Sequence, residues 1–145
     1  MNREEDLLQQ IMRIACVGRD FFSDVQPSIA DPEVRAAFEY IGDTKSRFIV
    51  ELAPWVQNGE AQTHHVSAAM SAEKIYVDLK RRFNVTVPQS SAALLAIGEG
   101  QLVRLVERAF ECANSPVLRK LLKVHYPALV ICREAMSRLS VRRVA

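Results

Sequence analysis

The stretch DPEVRAAFEYIGDTKSRFIVELAPW, residues 31–55, decides the fold. It opens on Asp31-Pro32-Glu33, an acid that can accept from the first free amides, a proline preset for the first turn, and a second acid beside the positive helix end. From there Val34, Phe38, Ile41, Lys45, Phe48, Leu52 and Trp55 recur at steps of three and four residues, which is one face of a helix. Six of those seven positions are apolar and the middle one is a lysine. Pro54 stands near the end of the pattern, and Asn58-Gly59 stops it.

Working outward, the same period appears on both sides. Upstream, Leu8, Ile11, Ala15, Gly18, Phe22 and Val25 mark a first helix over about Arg3 to Val25, closed by Pro27, with Arg13, Asp20 and Asp24 elsewhere on its wheel. Downstream, residues 59–66 read as polar loop, and Ser67 to Phe83 reads as a shorter helix carrying Met70, Ile75, Val77 and Leu79. After a break at Asn84 to Pro88, Gln89-Ser90-Ser91 opens a long helix with Leu95, Glu99, Leu102, Val106, Ala109 and Ala113 inward. Ser115-Pro116 starts the last one, striped by Leu118, Leu122, His125, Leu129, Cys132, Met136 and Leu139. Pro127 lies inside it and is expected to bend it near Lys123 and Val124.

The expected fold is therefore all-α: four helices of roughly 22 to 26 residues, each ~33–39 Å long. Short turns make two antiparallel hairpins, and a long crossover holding a short extra helix joins them. The 145 residues suit a single domain spanning 1–145, and 49% apolar content is enough for a core. Five Gly and six Pro are too few for a turn-rich barrel or sandwich. A net charge of +2 with 7% aromatics does not suit a nucleic-acid surface. No membrane span is expected, nor a leader at Met1-Asn2-Arg3-Glu4-Glu5-Asp6. Cys16, Cys112 and Cys132 are scattered and odd in number, as in reduced cytoplasmic proteins.

Three polar residues interrupt the stripes: Lys45, Glu99 and His125. Each lies near the middle of its helix, so all three should sit within about one turn, ~5 Å, of one level. Buried charges need partners. The expectation is a polar central layer in which Glu99 accepts from Lys45 and from His125.

A crossover bundle with Glu99 at mid-helix resembles the ferritin-like superfamily. More closely, the chain resembles small bacterial ferritin-like bundles that carry a domain of unknown function. The matching stretches are Asp31-Pro32-Glu33-Val34-Arg35, Phe48-Ile49-Val50-Glu51-Leu52, Gly98-Glu99 and Leu118-Arg119-Lys120-Leu121-Leu122. The resemblance implies a shape that elsewhere holds two irons, using a glutamate from each of two helices and Glu-x-x-His from each of the other two. Glu99 matches one of those glutamates, but Lys45 stands where an anionic or imidazole ligand is needed, and Leu122 precedes His125 by three residues. No Glu-x-x-His occurs. The chain is thus expected to have the shape without the metal centre, with no cofactor and no catalytic residue: a structural or interaction protein, not an enzyme. The alternative is an iron- or manganese-handling oxidase built on Glu99 and His125.

Other patterns point less far. His64-His65 with Glu60 gives too few ligands for a metal; Glu107 with Glu111 and the basic runs Lys80-Arg81-Arg82 and Arg119-Lys120-Lys123 read as solvated faces. A phosphotransfer module needs an exposed helical histidine, and His125 falls on the inward stripe. No phosphate loop or nucleophile elbow is present. A homodimer is expected, with Tyr40, Val130, Ile131 and parts of the short helix as its face.

Overall fold

A computed structural model describes residues 3–56, 68–83 and 87–141. His64, His65, Asn58, Gly59, Arg142 and Arg143 lie outside the described residues, as does the side chain of Met70. Helix α1 is Arg3–Val25, α2 Pro32–Leu52, α3 Ala68–Arg82, α4 Gln89–Cys112 and α5 Pro116–Ser140. No strand occurs among the described residues.

The start signals act as their chemistry predicts. The Asp31 carboxylate accepts from the amides of Glu33 at 2.9 Å and Val34 at 3.5 Å, and the Ser115 hydroxyl accepts from Leu118 N at 3.3 Å. Proline follows each cap. Helix α2 stops at Leu52, earlier than the stripe suggests, because Pro54 has no N–H to continue the ladder. Trp55 consequently sits half-buried in a 3-10 turn, Ala53–Trp55. Helix α5 runs unbroken through Pro127, which leaves the Lys123 carbonyl without its intrahelical donor.

The cross-helix contacts fix the directions. Helix α3 runs parallel to α1, since Arg13 pairs with Glu73 and Asp24 with Lys80. The Glu4 carboxylate accepts from Asn114 N, so α4 runs opposite to α1. Helix α5 opposes α4, with Tyr126 donating to Glu107 and Arg119 lying over the Phe110 ring. The chain therefore reverses at every step: up, down, up, down, up. Four long helices form a ring in the order α2, α1, α4, α5, and α3 packs outside it against α1 and α4.

The short helix turns a different face inward from the one its sequence suggests. Ala72, Tyr76 and Leu79 are buried, at a four-then-three spacing, whereas Val77 is exposed and Ile75 only half-buried. The reason is packing: Tyr76 joins an aromatic cluster with Phe21, Phe22, Phe38 and Phe83, whose ring centroids lie 4.9–6.3 Å apart.

Candidate functional site

Among the described residues the buried charges are Lys45 and Glu99, on α2 and α4, which face each other across the ring. Lys45 Nζ lies 2.7 Å from Glu99 Oε1, and the two side chains are 0% and 1% exposed. The carboxylate's second oxygen, Oε2, accepts from the Tyr76 hydroxyl. Both oxygens of this carboxylate are thus engaged, one by an ammonium and one by a phenol.

Two glycines make this possible. A Cβ on Gly98 would stand 3.1 Å from Tyr76 Oη and 3.2 Å from its Cζ. One on Gly18 would stand 3.1 Å from Lys45 Cε and 3.3 Å from Tyr76 Cζ. The pair opens a gap between α1 and α4 just wide enough for a ring from α3 to pass. Burial and the nearby Glu99 charge hold the Tyr76 phenol well above its usual range near 10, so it remains a donor.

The third expected member is not in this layer. His125 Nε2 contacts Glu51 Oε2 at 2.7 Å, on the seam between α2 and α5; its side chain is 11% exposed and that of Glu51 57%. Phe48 is the cause: its ring packs against the imidazole with centroids 5.2 Å apart and fills the space inside it. The layer is therefore Lys45, Glu99 and Tyr76, with His125 one shell outward.

Two more groups from α2 and α5 border the pair. Thr44 Oγ1 is buried, close to the Cys132 thiol. Burial pushes the Cys132 thiol up to about 12, against the opposing pull of the Lys45 ammonium. A thiol in an unfolded chain ionises near 9, so between about pH 9 and 12 the unfolded state has released a proton that the folded state keeps. Stability should fall as pH rises through that window, by at most ~1.4 kcal/mol per unit for this group. Urea unfolding across pH 8–11 should show a shallower fall in Cys132→Ala than in the parent chain; equal slopes would refute the assignment.

The chemistry of this donor set does not suit a metal ion. Glu99 is the one fully buried carboxylate among the described residues, and an ammonium already holds it. Gly18 supplies no ligand, and His125 is committed to Glu51. No cluster of three or more His, Cys, Asp or Glu side chains able to hold a metal occurs among the described residues. Glu107 and Glu111 line an outer groove of about 610 Å³ between α4 and α5, with Phe110, Leu122 and Tyr126; it does not reach the buried pair. No helix among the described residues is long and apolar enough to cross a membrane. No family model, curated protein or solved structure matches the chain.

Proposed function

We propose that this chain is a ferritin-like four-helix bundle of the small bacterial kind, working in the cytoplasm as a non-catalytic structural or interaction protein. Its centre is closed by Lys45, Glu99 and Tyr76 in place of a metal pair. One observation carries the reading: the ammonium lies 2.7 Å from the mid-helix carboxylate that would otherwise be a ligand. A fixed cation there repels a metal ion and already satisfies the anion.

The test is elemental analysis of protein purified from cells supplied with iron and manganese. The expected result is substoichiometric metal. Stoichiometric iron or manganese would overturn the reading in favour of an oxidase or iron-handling protein. A variant sharpens it. Lys45→Glu sets two carboxylates side by side in the core, which should lower stability and create affinity for a divalent cation. Adding Fe²⁺ or Mn²⁺ under anaerobic conditions should raise the melting temperature of Lys45→Glu but not of the parent. Unchanged stability in the variant, with no response to metal, would count against the charge-balance idea.

A further inference from the structure

Helix α5 carries two apolar stripes. One faces the core. The other runs Val117, Leu121, Val124, Ala128, Ile131 and Ala135, at alternating steps of four and three. That is a 3.5-residue period over six positions, the pattern of a coiled-coil seam, and it is roughly 27 Å long. Val117, Val124 and Ile131 are 66%, 63% and 48% exposed, while Leu121, Ala128 and Ala135 are half-buried. Nothing in the folding of the protomer requires apolar residues at the three outer positions.

We infer that this seam binds α5 of a second copy of the chain, antiparallel, about a two-fold axis near Tyr126. This deepens the interaction role proposed above by naming its surface. Three observations select that occupant and direction. The period calls for a helix as partner. In an antiparallel register the residue numbers of facing positions sum to a constant, and one register pairs Leu121 with Ile131 of the partner subunit, Val124 with Ala128 of the partner subunit, and Val117 with Ala135 of the partner subunit. Every layer is then apolar, and each alanine faces a larger valine. The flank carries Lys120 and Glu134, both exposed. Positions on this flank, one residue before the seam, pair at a sum two greater than the core layers, so the same register brings Lys120 alongside Glu134 of the partner subunit twice, once on each side of the axis, with Pro127 between them. Glu134 already contacts Arg133 of its own helix at 3.3 Å, a loose surface pair that leaves its carboxylate open to a second cation. A parallel pairing would instead bring Lys120 towards His125 of the partner subunit and lose both attractions. The end of the seam also fits: a shallow hollow of about 560 Å³ lies beside Ala135, lined by Ala37, Met136 and Leu139, where the valine side chain would seat.

Sedimentation velocity and light scattering on the full chain test this. The expected mass is twice 16.3 kDa at micromolar concentration. Val124→Glu should raise the dimer dissociation constant by at least about tenfold, with helicity and melting of the protomer retained because the position is exposed. Val77→Glu should leave the dimer intact, because α3 packs against α1 and α4, away from α5, and so drops out of the dimer face expected from sequence. Lys120→Glu and Glu134→Lys should each weaken it, and the double exchange should restore it. A monomer in the parent chain, a dimer that survives Val124→Glu, or a dimer lost only in Val77→Glu would overturn the seam. Failure of the double exchange to restore association would overturn the antiparallel register. None of these results bears on metal content, so the core reading stands or falls separately.

Discussion

Replacing Lys45 by methionine is expected to destabilise the protein by about 3–5 kcal/mol, the range for stranding one member of a buried ion pair. The loss is not that of a favourable bond. Glu99 is 1% exposed, and without the ammonium its charge has only the Tyr76 hydroxyl for company. Glu99→Gln should cost a similar amount for the mirror reason, since it strands an ammonium that is 0% exposed. The informative variant is the double one. Lys45→Met with Glu99→Gln removes both charges, and the glutamine oxygen still accepts from Tyr76. It should be more stable than either single variant, which requires a coupling larger than the cost of one single substitution, at least ~3 kcal/mol. Urea unfolding followed by circular dichroism measures all four proteins, and unchanged denaturant slopes would license the comparison. Additive single effects would mean that the two charges do not depend on each other. The surface pairs supply the contrast. Lys80–Asp24 is about half exposed on both sides, and pairs of that kind contribute ~0–1 kcal/mol.

The helix pattern was legible because four of the five helices are long enough for their apolar period to show, and because Asp31-Pro32 and Ser115-Pro116 announce two starts. The Lys45–Glu99 pair was legible for a related reason: a charge on an otherwise apolar stripe has nowhere to go but to another such charge. His125 met the same criterion and failed it, because a stripe's edge and its centre look alike in sequence. Only the Phe48 ring, filling the interior position, decides which one the imidazole takes. Tyr76 was missed altogether. Helix α3 has 15 residues and two competing apolar faces, one through Ile75 and Val77 and one through Ala72, Tyr76 and Leu79. The sequence did contain a signal for the second. Gly18 and Gly98 are glycines on the inward faces of two different long helices, where alanine would favour the helix more. Such a pair marks a place where a third side chain comes through.

That gap yields the second large effect. Gly98→Val should destabilise the protein by about 3 kcal/mol, despite valine's better helix propensity. A Cβ alone would reach within 3.1 Å of Tyr76 Oη, and the added methyls leave the phenol no room. The ring cannot retreat cheaply, because Phe21 and Phe22 pack against it at 5.7 and 6.1 Å between centroids. Pushing it outward also takes a donor from Glu99, and a hydrogen bond to a charged group contributes about 1.5–3 kcal/mol. Gly100→Ala is the control two residues along the same helix. Its Cβ would meet nothing closer than Arg133 Cδ at 3.6 Å, so it should stabilise by about 0.5–1 kcal/mol through propensity alone. Tyr76→Phe separates clash from lost hydrogen bond. In the parent chain it should cost about 1.5–3 kcal/mol. In the Gly98→Val background it should cost almost nothing, since the phenol no longer reaches the carboxylate. An equal cost in both backgrounds would mean that Tyr76 keeps its contact with Glu99 when the gap is filled, and that the glycines do not admit it.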